Sequence, residues 1–268
     1  LQRLFLIKTI YIKKSELIMI ENFKIEKPRI FPNTIISGVS KKNVSSAFPD
    51  GISFHTAIDE NKNEYVANKE FLASFLKTQP EQLIFQNQIH SDIVRIVNSD
   101  SKVETSDALI TSDKNLFLCI KIADCCGILL YDRENEVIAA IHSGWKGTMQ
   151  NITQKTISKM AYEYNSKAEN MLAYLAPCGS ACCYEVKYDV AKYFPNSVKQ
   201  ISESQYLLDL KNEIKYQLSA SGVLLENIEI SKDCTICNTE YHSYRRDKEN
   251  AGRAVAFISI SDAHIKRY

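Results

Sequence analysis

"LFLCIKI" (116–122), "GILLYD" (127–132) and "EVIAAIH" (136–142) are three short, β-rich apolar runs that follow one another closely. Each is too short for a helix and each ends in polar residues, so together they read as strand, turn and strand. After His142 the chain changes character. Ser143-Gly144-Trp145-Lys146-Gly147 leads into Met149, Ile152, Thr156, Met160 and Tyr164, which recur at the spacing of one helical face. Residues 138–148, "IAAIHSGWKGT", are therefore a strand-to-helix connection that carries the only tryptophan of the chain.

Strand-like and helix-like segments alternate outward from this stretch. A helix is expected at "YDVAKYF" (188–194), stopped by Pro195. Another is expected at "LDLKNEIKYQLSASG" (208–222), with Gly222 in the usual C-terminal position. "ENIEIS" (226–231) and "GRAVAFISI" (252–260) read as late strands. There is no repeat, low-complexity linker or charge block of the kind that separates domains. The expectation is a single α/β domain over residues 19–268, with a mixed β-sheet core and helices on its faces.

The 268 residues are enough to bury a sizeable core, and 45% hydrophobic with 24% charged content is ordinary for a globular protein. With 33 Lys and Arg against 32 Asp and Glu, the net charge of +1 gives no field that points to nucleic acid. Near the start, Lys8, Lys13 and Lys14 interrupt an apolar run well short of the roughly 20 residues that span a bilayer. No membrane partner is expected, and no cleavage signal is visible. The first methionine is Met19, so residues 1–18 are expected to be an extension outside the fold. Eight cysteines without an export signal fit a reducing cytoplasm, with Cys119 and Cys126 as small core side chains. A monomer is expected.

Chemistry enters at the strand ends. His90 in "NQIHSD", Cys125 in "KIADCCGI" and His142 supply two imidazoles and a thiol, the mixed donor set of a catalytic zinc site that keeps a fourth position open. The same residues permit a hydrolase with Cys125 as nucleophile and a histidine as base, although Asp124 next to the thiol opposes thiolate formation. Gly144 and Gly147 at the mouth of the helix are candidate anion contacts, and Trp145 is expected mainly to pack. In "YHSYRRDKENAGRA" (241–254), Arg245 and Arg246 follow two tyrosines and suit forked recognition of phosphate or carboxylate. If that segment is extended, the two arginines point to opposite faces and take unequal roles. Cys234 and Cys237 form a C-x-x-C, and Cys178, Cys182 and Cys183 form a second cluster. They could build a structural Cys₄ site or a redox pair, but only one cluster has the tight spacing. They are expected to be reduced and metal-free.

"QIHSD", "SDALIT", "IADCCGILLYD", "IAAIHSGWKGT", "APCGSACCYEV" and "YHSYRRDKENAGRA" fall in the order of the motifs of the laccase-domain or YfiH-like family, also called the polyphenol oxidase or peptidoglycan-editing factor family, which this chain resembles over about residues 25–260. The resemblance implies one zinc on His90, Cys125 and His142, with copper as an alternative metal. It also implies phosphorolysis of adenosine, inosine and methylthioadenosine, so the expected partners are a purine nucleoside and inorganic phosphate. Adenosine deamination, copper-dependent phenol oxidation and editing of peptidoglycan precursors have been attached to the family as well. In the phosphorolytic reading Arg245 and Arg246 hold phosphate, and Asp124 or Glu185 are candidates for acid-base work.

The chain departs from the family pattern in places. "GVSKKNVSS" (38–46) replaces a Thr-Thr-Arg-x-Gly-Gly stretch, so a substrate arginine is missing unless Lys41 or Lys42 substitutes. Ser91, Gly127, Ser143 and Lys146 stand where the family has Gly, Pro, Ala and Arg.

Overall fold

The computed structural model describes residues 23–45, 48–55 and 62–261, and the extension expected at 1–18 lies outside the described residues. In chain order these form β1 (Ile25–Glu26), β2 (Ile35–Ser40), α1 (Lys62–Phe75), β3 (Leu83–Ile84), β4 (Val94–Ile96), β5 (Ala108–Thr111), β6 (Phe117–Ile122), β7 (Cys126–Asp132), β8 (Val137–Ser143), α2 (Trp145–Met149), α3 (Ile152–Tyr164), β9 (Met171–Leu175), β10 (Glu185–Lys187), α4 (Tyr188–Ala191), β11 (Val198–Gln200), β12 (Gln205–Leu208), α5 (Leu210–Ala220), β13 (Ile228–Ile230), α6 (Tyr244–Asp247) and β14 (Ala254–Ile260). Short 3₁₀ turns fill several connections.

The strands build a six-stranded sheet in the order β13-β9-β7-β8-β5-β4, a five-stranded sheet β1-β2-β14-β6-β3 and a small sheet β10-β12-β11. Side-chain alternation along β8 assigns the layers. Ile138 and Ala140 share a core with Leu129 and Tyr131 of β7 and with Leu118, Ile120, Ala256 and Ile258 of the five-stranded sheet. Val137, Ala139 and Ile141 pack instead with Ile152, Ile157 and Met160 of α3 and Ile214 and Leu218 of α5. The outer face of the five-stranded sheet, with Phe117, Cys119, Val255 and Phe257, is covered by Leu72, Ala73 and Phe75 of α1.

The molecule is thus mixed α/β, but its centre is two sheets stacked face to face rather than one sheet with helices on both sides. A strand that is apolar on both faces reads the same whether helix or sheet covers it, which is why the second sheet was not visible in the pattern. Gly127 of β7 lies against β14 of the facing sheet. A Cβ there would meet Ala256 Cβ at 3.1 Å and Ala176 Cβ at 3.4 Å.

Three local expectations shift. The helix after β8 begins at Trp145, breaks at Asn151 and restarts as α3. Asn151 has φ 59°, a left-handed conformation that asparagine tolerates. Gln217, buried on α5, donates to the carbonyl of Thr148 at 2.8 Å, so the break leaves that group satisfied. The helix expected over 188–194 is only one turn, Tyr188–Ala191. Arg245 and Arg246 lie not on an extended strand but in the single turn of α6, whose Ser243 cap accepts from the Arg246 N–H at 3.2 Å. Cys119 and Cys126 are fully buried, and no described helix is long and apolar enough to cross a membrane.

Candidate active site

Three ends of the fold bring His90, Cys125 and His142 together: the loop after β3, the turn between β6 and β7, and the end of β8. Their donor atoms all lie within 4.8 Å of one another, and the two imidazole centroids are 4.9 Å apart at 69°. Ligands about 2.0–2.3 Å from one tetrahedral ion lie roughly 3–4 Å from each other, so this group has the size that one ion needs. Burial pushes the Cys125 thiol up, but His142 and His90 beside it more than offset this and hold it below its ordinary value. A sulfur disposed to be a thiolate between two imidazoles suits a divalent cation.

One carboxylate, not singled out in the sequence, organises both histidines. Asp107 is 1% exposed at the start of β5, and its Oδ1 lies 2.8 Å from His142 Nδ1, which leaves Nε2 to face the group. The same carboxylate accepts the backbone N–H groups of Ile89, His90 and Ser91 at 3.3, 3.1 and 2.6 Å and the Ser91 hydroxyl at 2.6 Å. These three successive donors form a turn in which His90 sits at φ 62°, a left-handed conformation held by its surroundings. Ser91, where the family has glycine, therefore contributes a bond of its own.

Burial raises the Asp107 pKa, yet the hydrogen bonds from His142 and Ser91 outweigh it and bring the carboxyl down to about 2. A depressed carboxylate contributes stability that is present above its unfolded value of 3.8 and is lost as pH falls through about 2. In the metal-free protein, Asp107→Asn should cost about 2 kcal/mol at neutral pH relative to the native chain. Urea unfolding of both proteins should show that gap closing between about pH 4 and pH 2. A gap that is constant over this range would mean that the carboxylate is not bonded as described.

Gly144 is required by contact rather than by φ. A Cβ on it would lie 2.7 Å from Cys125 Sγ and 3.4 Å from the His90 ring. Gly144→Ala should push the sulfur aside and weaken metal binding by the group by at least about tenfold, a loss of roughly 1.4 kcal/mol. Competition with a chromogenic chelator measures it, and unchanged affinity would show that the sulfur is not a ligand. Gly147 lies inside α2, with a Cβ position 3.5 Å from the carbonyls of His142 and Ser91, so it is a packing glycine rather than a residue of an anion-facing mouth.

The three ligands line a pocket of about 690 Å³. Lys121, Arg245, Lys248 and Arg253 contribute four cations to its wall against the one carboxylate of Asp124. Trp145, Tyr184 and Tyr244 contribute flat apolar surface, and Trp145 also packs on the core beneath. His55 also lines the pocket, where burial first and then Arg253 and Lys121 lower its pKa. Burial and Arg253 bring Lys121 down to about 8.

The expected site residues separate in space. Arg245 is exposed on the pocket wall, its guanidinium carbon 5.4 Å from the Tyr184 ring centroid, and its backbone N–H donates to Asp124 Oδ2 at 2.6 Å. Arg246 turns away and is saturated by Asp247 and by the carbonyls of Thr235, Ile236 and Tyr241. Asp124 does not offer a free carboxylate, because its other oxygen accepts from the Thr235 hydroxyl at 2.7 Å. Glu185 is exposed on β10 and outside the pocket lining. Lys41 and Lys42 lie in a separate hollow, where Lys41 pairs with Glu240 at 2.6 Å and the Lys42 N–H is tied to the Glu240 carbonyl. Neither lines the pocket of the His-Cys-His group. Lys121 and Arg253, contributed by adjacent strands β6 and the approach to β14, supply charge there instead.

The cysteine clusters also meet. β9 and β13 are parallel neighbours, with Leu175 opposite Ile230, so the segments leaving them run side by side. The backbones of Cys178 and Cys234 pair as an isolated parallel β-bridge, both thiols are free, and the sulfurs of Cys182, Cys183, Cys234 and Cys237 lie within 4.8 Å of one another. Spacing alone had supported only half of such a set.

A family model described as multi-copper polyphenol oxidoreductase laccase matches residues 33–261. A purine nucleoside phosphorylase of Clostridium acetobutylicum is 41% identical over 179 residues, 65% of this chain and 75% of that one. A purine nucleoside phosphorylase of Campylobacter jejuni is 33% identical over 84% of this chain and all of its own length. Among solved structures, YfiH of Bacillus licheniformis superposes with a TM-score of 0.80 at 26% identity, covering 85% of this chain and 94% of that one. YlmD of Geobacillus stearothermophilus, at 24% identity, shares the fold with a TM-score of 0.82 over 88% and 94% of the two chains.

Proposed function

The chain belongs to the multi-copper polyphenol oxidoreductase laccase family, and from its pocket we propose that it is a zinc-dependent purine nucleoside phosphorylase acting on adenosine, inosine and methylthioadenosine. The observation that carries this reading is that one pocket combines an ion-sized His-Cys-His group with a cationic wall and aromatic faces. The names of the relatives that cover most of this chain support the same reaction.

Zinc held by His90, Cys125 and His142 would supply a Lewis acid at the nucleoside. Arg245, Arg253 and Lys121 bind inorganic phosphate and keep its oxygens turned toward the ribose, where clamping and charge neutralisation are the protein's main contribution. Phosphate forms the new bond to C1′ through one oxygen, the C1′–N bond to the purine breaks with its electron pair, and the departing base takes up the proton that hydrogen phosphate gives up on becoming the sugar phosphate. Tyr184, Tyr244 and Trp145 cover the base and exclude water. Asp124 and Thr235 orient Arg245 rather than transferring a proton. Cys125 lies between two imidazoles, a ligand's position, rather than beside a single base as a nucleophile would.

The test is purine release from adenosine and inosine with phosphate present or omitted. Phosphorolysis requires free base only when phosphate is present, loss of turnover on chelation, and recovery with zinc. Ammonia release without free base would mark a deaminase instead. Activity that survives chelation and is lost on thiol alkylation would mark a cysteine hydrolase.

A further inference from the structure

We propose that Cys182, Cys183, Cys234 and Cys237 bind a second, structural zinc ion that clamps the wall of the pocket. Four sulfurs about 2.3 Å from one zinc lie roughly 3.8 Å apart along the edges of a tetrahedron. Cys182 and Cys237 are 3.7 Å apart, Cys182 and Cys183 are 3.5 Å apart, and all four fall within 4.8 Å. The set is complete and purely sulfur, which is the donor pattern of a closed structural site rather than of an open catalytic one.

A second observation is independent of these distances. The backbone N–H of Ser180, in the loop that carries Cys182 and Cys183, donates to Cys234 Sγ at 3.4 Å. An N–H aimed at the first sulfur of a C-x-x-C turn favours a metal thiolate there, because the donor stabilises negative charge on that atom. A neutral thiol pair needs no such donor.

The position explains what the ion would do. Cys183 precedes Tyr184, and the turn from Cys234 to Cys237 contains Thr235 and Ile236, whose carbonyls hold Arg246. Thr235 also bonds Asp124, which in turn bonds the N–H of Arg245, the residue stacked on Tyr184. The 178–184 and 233–238 loops are also joined by the Thr235 N–H, which donates to the Cys178 carbonyl at 3.1 Å, and a Cβ on Gly179 would already press on Ile236 and Tyr184. An ion at the four sulfurs therefore ties together the two loops that present Tyr184 and Arg245.

The inference does not rest on the proposed reaction, although the count of two ions takes its first ion from the zinc reading of the His-Cys-His group, and two variants separate the sites. In protein purified under reducing conditions, elemental analysis should find about two zinc ions per wild-type chain. His90→Ala/Cys125→Ser/His142→Ala should keep one ion, and its X-ray absorption should show an all-sulfur shell at about 2.3 Å. Cys234→Ser/Cys237→Ser should also keep one ion, with a mixed nitrogen and sulfur shell. A zinc-free triple variant, or nitrogen in its shell, overturns the proposal. So does a zinc-free cluster found by mass spectrometry as a disulfide in the freshly reduced and purified protein. If either variant fails to fold, the wild type decides: a second ion with sulfur in excess of the one Cys125 can supply supports the site, and a single ion with a mixed shell overturns it.

Discussion

Asp107→Ala is expected to weaken zinc binding at the His-Cys-His group by about 10–100-fold, although Asp107 is not itself one of the three ligands. Its carboxylate fixes the His142 ring through Nδ1 and gathers three backbone N–H groups around His90. Truncation removes both restraints at once. It also leaves buried donors without a partner, so stability should fall by roughly 3–5 kcal/mol. Asp107→Asn separates the two effects, because the amide keeps the volume and one acceptor but not the charge. Zinc affinity by chelator competition, with unfolding midpoints measured in parallel, reads both. If Asp107→Ala binds zinc as tightly as the native chain does, the histidines are positioned by packing alone.

The second large effect divides two adjacent arginines. Arg246→Lys should lower stability by about 2–3 kcal/mol, because the forked pair to Asp247 and three carbonyl contacts cannot be reproduced by one ammonium. Its apparent phosphate affinity should change little while the protein stays folded. Arg245→Lys should do the opposite, with a melting temperature near that of the native chain and phosphate affinity reduced about tenfold, the equivalent of one charge-assisted bond near 1.4 kcal/mol. Phosphate dependence of turnover and thermal unfolding of the two variants measure the division. Unchanged phosphate affinity in Arg245→Lys would move the anion to Arg253 and Lys121.

Much of this was legible in local pattern. The central strands announce themselves by short apolar runs, and the helix 210–220 by Gly222 beyond its end, while Asp209, read as inside the helix, is its cap. His90, Cys125 and His142 stand out as reactive side chains at strand ends, and the ordered motifs tie them to a family. What stayed hidden depends on contacts between distant segments. Stacking of two sheets leaves no mark different from helix-on-sheet packing in a strand such as Ile128–Tyr131. Asp107 looks like an ordinary polar residue before an apolar strand, and its meaning appears only when residues 89–91 and His142 fold around it. The four-cysteine set needs parallel pairing of β9 with β13, which no spacing along the chain encodes. Lys41 and Lys42 drew notice through a motif position, yet the loop that carries them is tied to Glu240 in another hollow.

Phosphorolysis at this pocket is tested most directly by following the phosphate oxygen itself. Metal-loaded protein is incubated with adenosine or inosine and ¹⁸O-labelled inorganic phosphate, and the reaction is observed by ³¹P magnetic resonance. Attack of phosphate on C1′ predicts one labelled sugar 1-phosphate for each purine released, with the label kept in the bridging oxygen and the product absent when Cys125 is replaced by serine. Purine released at the same rate without phosphate, or free ribose with no sugar phosphate, would contradict it.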